Sequence, residues 1–246
     1  DVYLKMDGTA FPVELMATVT TYQGQPAVQV VVRDITKRHQ SEALLAAQRD
    51  LARIMTVANT AQAAWPLCLE IALRVSGMDC GGLYLFGADE RILELVYHQG
   101  LGAEFVAHTS RYPLEATNVQ ILLRGQTVYF SAEDVRQQGL PEQEGLGAIA
   151  VIPIQHQGRV LGAINIASHS LTQVPDHARR ALETIAAEIG NIAVYLRTET
   201  ALRECYGRLF YRLFTIRRNR RNRHGALRLV LGEIGQSTIT GAHTGG

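Results

Sequence analysis

Residues 147–167, GAIAVIPIQHQGRVLGAINIA, carry the clearest structural pattern in the sequence. It predicts two strands, 147–155 and 159–167, joined by a turn at residues 156–158. Gly158 provides the conformational freedom that a tight hairpin turn requires. Both strands are nearly continuous in apolar residues, which is typical of strands covered on both faces. We therefore predict that this hairpin lies at the centre of a sheet.

The elements around this hairpin alternate between helix and strand. Apolar periodicity predicts a helix over 66–75, strands over 81–86 and 92–98, a short helix over 119–124 and a short strand over 127–130. A long helix begins at Asp176, directly after Pro175, and carries an apolar stripe as far as Leu196. This order predicts an α+β fold, with helices packed on an antiparallel sheet.

The N-terminal residues predict a second, smaller sheet. Apolar and polar residues alternate over 13–20, the period of a half-buried strand, and residues 27–33 supply another strand after a turn. From Thr36 the pattern becomes helical, with an apolar seam from Leu44 to Ala61. The seam fits either a coiled coil between two copies or a helix packed on its own domain. We expect this helix to lie beside the helix that begins at Asp176.

Several motifs in residues 45–204 resemble the GAF domain family. They are Tyr112-Pro113-Leu114, the L-x-x-G-x-x-V-like run over 122–128, the turn at Asp134-Val135, and the paired V-P-I and G-x-x-x-G-x-I-N pattern within 147–166. The resemblance implies a GAF domain over 65–204. It also implies that a ligand would lie between the sheet and the segment from about 100 to 144.

The start of the chain resembles the end of a PAS domain. The pattern Lys5-Met6-Asp7-Gly8 precedes the first long strand, and Asp34-Ile35-Thr36 followed by Arg38 resembles the exit into a signalling helix. We therefore interpret 1–38 as the C-terminal remnant of a PAS domain and 39–64 as a signalling helix. The front of that domain, which in the PAS family holds most of the cofactor pocket, is missing from this sequence.

Composition excludes several classes of function. The formal net charge is +1, so the average surface does not favour nucleic acid or a membrane. No run of 18 apolar residues is present, so no span is predicted. The three cysteines lie far apart in sequence without a C-x-x-C motif or a Cys/His cluster. We therefore expect no metal site and no disulfide, and a reducing, cytoplasmic compartment.

The resemblance also directs the search for a ligand site. We predict that Tyr97, Tyr112, Asn118 and Asn165 line the pocket and orient an apolar ligand by hydrogen bonds. The alternative is that Tyr97 packs in the core and Asn118 caps a helix. Residues 99–146 contain no cysteine, so we expect no covalent bilin and no sulfoxide reduction by pocket cysteines. The cofactor stays unidentified, and no catalytic residue is predicted.

The C-terminal residues differ in character from the rest. A dense basic run occupies 217–223, and we interpret 205–246 as an aberrant tail, with 232–246 irregular. Residues 201–214 resemble the helix that enters another PAS domain, after which the resemblance stops abruptly. This predicts a truncated domain or a reading-frame shift near residue 214. An arginine-rich arm that contacts phosphates is the functional alternative.

The expected function is that of a sensory module in signal transduction. It would bind a small molecule or relay a conformational change through its flanking helices to an output domain outside this chain. By family analogy that output is a histidine kinase, as in two-component systems, or a cyclase. The expected partner is a second copy of the chain, held through the helices. The alternative is a ligand-free dimerisation or scaffold module.

Overall fold

The computed structural model describes residues 1–237 apart from 7, 9, 59, 88 and 138–143, with side chains described as far as Tyr206. The chain divides into one compact unit that spans Asp1–Leu196 and another that begins at Arg197. Within the described residues, no helix is both long enough and apolar enough to cross a membrane.

The larger sheet contains six antiparallel strands in the order β6-β5-β4-β9-β8-β7. Its strands are β4 (Cys80–Phe86), β5 (Ile92–Gln99), β6 (Arg111–Pro113), β7 (Val128–Phe130), β8 (Ala148–His156) and β9 (Arg159–Ser168). The predicted hairpin is confirmed as β8 and β9, and β9 pairs with β4 on its other side. Gln157 and Gly158 both have positive φ, as a tight hairpin turn requires.

Three helices cover one face of this sheet, which we call the helical face. They are α1 (Thr36–Val57), α2 (Ala61–Ser76) and the part of α6 (Asp176–Ser237) that ends at Leu196. Alternate sheet residues such as Leu83, Ile152 and Ile164 pack against Leu69 of α2 and Leu182 of α6, all almost fully buried. The sheet presents alternate side chains to opposite faces, so the neighbouring positions must be covered from the other side.

Short helices cover that other face, which we call the second face. They are α3 (Ala103–Thr109), α4 (Thr117–Leu122) and α5 (Ala132–Gln137). Val119 and Leu122 of α4 pack against Tyr84 and Ala163 of the sheet, forming one apolar cluster. Val135 of α5 packs near Cys80, Ile149 and Ala167, forming another. The second face is therefore covered in two patches.

The smaller sheet contains β1 (Val2–Leu4), β2 (Ala10–Tyr22) and β3 (Gln25–Asp34), all antiparallel. The strands predicted there are confirmed, but the expected burial is wrong. Val13 is buried, whereas Val19 is 80% exposed and Val28 is 62% exposed. Among the described residues, no other layer of structure covers most of this small sheet. Apart from Val13, most of its apolar side chains are therefore exposed to solvent.

The helical seam packs within the chain. Ala47, Leu51 and Ile54 of α1 and Ala58 after it are buried in the same core as Leu182 of α6. This outcome agrees with the reading of a helix packed on its own domain, and it leaves those four side chains unavailable to a second copy. The seam is also not continuous to Ala61, because α1 ends at Val57.

Two predicted helix limits are corrected. The helix predicted from Pro66 begins at Ala61, because the Thr60 side chain accepts a hydrogen bond from the backbone N–H of Ala63 and caps it. Residues 232–237, expected to be irregular, continue α6, although Gly232 and Gly235 among them are weak helix formers. The remainder of the expected irregular segment, 238–246, lies outside the described residues.

Candidate ligand-binding site

The second face places two of the predicted ligand residues on the same side of the sheet. Tyr112 of β6 packs against the cluster formed around Tyr84 and Leu122. Asn165 of β9 lies between Ala163, which belongs to that cluster, and Ala167, which belongs to the other. Its neighbours across the sheet are Gly82 of β4 and Val151 of β8.

The other two predicted residues lie elsewhere. Tyr97 of β5 packs against the core of the helical face. The cause is an irregularity in the β4–β5 pairing: Tyr84 pairs with Leu95, whereas Leu83 pairs with Tyr97, so β5 has one extra residue and reverses its faces. Asn118 is exposed at the start of α4, and its side-chain oxygen accepts a hydrogen bond from the N–H of Val119 at 3.0 Å.

The phenols on the second face are neutral at physiological pH. Burial raises the pKa of Tyr84, and the nearby Tyr112 oxygen adds to the rise, while a hydrogen bond with Thr109 opposes it. Burial also raises the pKa of Tyr112. The two rings are 6.0 Å apart between centroids and tilted by 47°. They form an aromatic wall with hydroxyl groups that can donate or accept, but carry no charge.

The side-chain oxygen of Asn165 differs from these groups in its hydrogen bonding. It is buried, and it accepts no hydrogen bond from any donor in the part of the chain that the structure describes. An unsatisfied buried carbonyl costs about 1–3 kcal/mol, because it has lost its bonds to water. Such an atom on a face otherwise lined by apolar side chains is a natural anchor for a bound N–H or O–H group.

A separate cleft opens at the opposite end of β9. It has a volume of about 440 Å³ and is floored by apolar residues, among them Phe86, Leu114 and Val160. Its rim is charged, with an ion pair between Glu90 and Arg159. Val160 and Asn165 are five positions apart in β9, or about 16 Å along the strand. The cleft and the unpartnered Asn165 side-chain oxygen therefore lie in different parts of the domain.

Comparisons with known proteins agree with this architecture. Residues 58–192, more than half of the chain, match the family model described as GAF domain. The chain is similar to the GAF domain from a phosphoenolpyruvate-protein phosphotransferase of Coxiella burnetii, at 17% identity and a TM-score of 0.54, covering 65% of this chain and 98% of that one. A comparison with curated protein sequences found no match.

Two further solved structures show the same fold at low identity. One is the GAF domain from an Acinetobacter phosphoenolpyruvate-protein phosphotransferase, at 16% identity and a TM-score of 0.52, covering 63% of this chain and 94% of that one. The other is a bacteriophytochrome from R. palustris, at 16% identity and a TM-score of 0.51, covering 82% of this chain and 46% of that one.

Proposed function

The chain belongs to the GAF domain family, and on that premise we propose that it is a sensory module that binds a small molecule on the second face of its sheet. GAF domains are regulatory rather than catalytic domains. The observation that carries the proposal is the buried Asn165 oxygen without a donor among the described residues. The proposed ligand is largely apolar and carries at least one N–H or O–H group, which donates a hydrogen bond to the Asn165 side-chain oxygen.

The relay is proposed to run through the sheet to α6. Asn165 lies between Ile164 and Ile166 in β9, and both of these residues are fully buried on the helical face with Ile185 of α6. A ligand biases such a relay only through its different affinity for two conformations. We propose a cytoplasmic sensor of kinase or cyclase type as the full protein, with α6 leading to the output domain and two copies acting together.

Ligand screening by thermal denaturation tests the binding proposal. Apolar heterocycles and phenols that carry N–H or O–H donors are compared with N- or O-methylated counterparts. A donor compound at a hundredfold excess over its Kd adds about 2.7 kcal/mol to the free energy of unfolding. For a chain of this size that corresponds to a rise of about 5–10 °C in Tm, and the methylated counterpart is expected to give none.

The Asn165→Val variant sharpens the test because the two readouts move in opposite directions. Removing an unsatisfied buried carbonyl keeps or raises the Tm of the ligand-free protein, since a desolvation cost disappears. The same change abolishes the shift caused by the ligand. The matched control is Asn118→Ala, which removes an exposed amide on α4 and leaves the ligand shift unchanged.

Native mass spectrometry separates the proposal from its alternative. A ligand-free scaffold predicts a bare dimer and an empty screen. That combined result would replace sensing with dimerisation as the function. The buried seam of α1 counts against the alternative, because Leu51 and Ile54 already pack inside their own chain.

A further inference from the structure

A cluster of polar side chains lies where β4 begins and β9 ends, away from Asn165. Cys80 pairs with Ala167 in the sheet, so Asp79 and Ser168 are brought together across 89 residues of sequence. The Asp79 carboxylate accepts hydrogen bonds from the Ser168 hydroxyl at 2.7 Å and from His169 Nδ1 at 2.6 Å. Metal-ligating atoms of Asp79, Cys80 and His169 all lie within 4.8 Å of one another.

A second carboxylate faces the other side of the same imidazole. Glu144 Oε1 lies 3.8 Å from His169 Nε2, and the Glu144 side chain is only 9% exposed. Its oxygen also accepts a hydrogen bond from the backbone N–H of Gly102 at 2.7 Å. The imidazole of His169 therefore lies between two carboxylates, with one near each ring nitrogen.

A neutral imidazole cannot satisfy both carboxylates. With its one proton on Nδ1 beside Asp79, a neutral ring turns the Nε2 lone pair towards the Glu144 carboxylate, so the arrangement needs either a second proton or a cation at Nδ1. A cation bound at Nδ1 removes this conflict, because the ring proton then moves to Nε2 and points at Glu144.

Cys80 completes a donor set suited to a transition metal. Its side chain is fully buried, and its Sγ lies within 4.8 Å of the ligand atoms of Asp79 and His169. Binding of a metal ion by this thiol would release its proton. Thiolate, imidazole and carboxylate together suit Zn²⁺, whereas Mg²⁺ and Ca²⁺ prefer oxygen ligands alone.

We propose that Asp79, Cys80 and His169 bind a zinc-type metal ion through a carboxylate oxygen, the thiolate and Nδ1, with Glu144 accepting the Nε2–H bond. The ligand atoms need only a small rearrangement. Zinc bonds of about 2.1 Å in a tetrahedron separate neighbouring ligands by roughly 3.4 Å, so the Asp79 and His169 atoms move apart by under about 1 Å. Three protein ligands leave a fourth position open.

This proposal departs from the expectation of no metal site, which the scattered positions of cysteine and histidine in the sequence had suggested. Local spacing rules detect ligands in one loop or helix, and here the ligands come from two strand ends far apart in sequence. The site would fasten the start of β4 to the end of β9 and, through Glu144, to the segment that precedes β8. It is independent of ligand binding at Asn165.

Metal titration of the full chain tests the proposal. The chelator-stripped protein is titrated with Zn²⁺ against a chromophoric chelator near neutral pH, and we expect one tightly bound ion per chain. Cys80→Ser lowers the affinity at least about a hundredfold, since the thiolate ligand is lost. Glu144→Gln lowers it roughly tenfold, as expected for a group that orients a ligand. The matched controls Cys205→Ser and His177→Ala leave it unchanged, because Cys205 and His177 are exposed and lie outside the cluster.

Cobalt identifies the ligand directly. With Co²⁺, the wild type and Cys205→Ser are expected to show a thiolate-to-metal charge-transfer band that Cys80→Ser lacks. If Cys80→Ser fails to fold by circular dichroism, His169→Ala serves as the variant, because His169 lies at the surface and its loss leaves the core intact. The proposal is overturned if Zn²⁺ does not bind, or if it binds these variants as well as the wild type. It is also overturned if His169→Ala alters only the pH dependence of stability, since the cluster then holds a proton.

Discussion

Replacing Gly162 by alanine tests the packing on which the whole domain depends. Gly162 of β9 pairs with Leu85 of β4 in the centre of the larger sheet. A Cβ atom at this position would overlap the backbone oxygen of Tyr84 and lie 2.9 Å from the Leu85 Cα. Carbon atoms in contact are normally about 3.5–4.0 Å apart, so the two strands would have to separate.

The expected cost follows from that separation. Overpacking a filled core costs about 1–3 kcal/mol, and each strand hydrogen bond weakened by the shift adds about 1 kcal/mol. We therefore expect Gly162→Ala to lower the free energy of unfolding by about 3–5 kcal/mol. For a chain of this size, this corresponds to a fall in Tm of about 10 °C, measured by circular dichroism and checked by urea denaturation.

The control is another glycine-to-alanine change in open space. Gly87 follows β4, and a Cβ there would meet only the Asp89 carboxylate oxygen at 3.4 Å. Gly87→Ala is expected to change stability by no more than about 0.5 kcal/mol. If Gly162→Ala denatures within about 2 °C of the wild type, the close approach of β4 and β9 is wrong, and so is the register that brings Cys80 to His169.

Two smaller changes test individual contacts. Tyr129→Phe removes a hydrogen bond of 2.8 Å to Glu183 and should cost about 1 kcal/mol in urea denaturation. Burial and Glu183 raise the pKa of Tyr129 above its usual value of 10.0. Wild-type stability therefore falls as pH rises past 10, and the stability of Tyr129→Phe falls less. Equal slopes of stability against pH in this alkaline range would contradict the prediction. Ser131→Ala breaks a reciprocal cap in which Ser131 N–H donates to Asp134 and Asp134 N–H donates to the Ser131 hydroxyl. We expect a slightly lower Tm above pH 3.8, and a difference that shrinks as pH falls below it, because hydrogen bonds from Ser131 lower the pKa of Asp134.

The structural features that could be predicted are those encoded within a short, continuous segment of the sequence. The β8–β9 hairpin was predictable because its strands and its turn at Gly158 lie within one segment of the chain. Asn165 could be singled out because it belongs to the motif that resembles the GAF family. Tyr97 could not be placed correctly by simple alternation, because the irregularity between Leu83 and Tyr84 reverses the faces of β5.

Features that depend on distant pairing were beyond the sequence. No local pattern indicates that Cys80 lies opposite Ala167, so the juxtaposition of Asp79, Cys80 and His169 could not be predicted. The same limit applies to the seam of α1. Its spacing fits a coiled coil and an intramolecular core equally well, and only the position of α6 shows which partner Leu51 and Ile54 have.

The packing of α1 and α6 bears on the relay proposed to run from the sheet. From Ala47 onward, α1 is held in place, because Ala47 and Leu51 are buried in the core that also contains Leu182 of α6. At their first turns the two helices are instead separated by a cleft of about 720 Å³, lined by Lys37, His39, His177 and Arg180 among others. Close-packed interiors change between discrete arrangements and do not deform smoothly. In the proposed relay, a movement of β9 at Asn165 would be accommodated where packing is open, and the start of α1 is the part of the pair with room to shift.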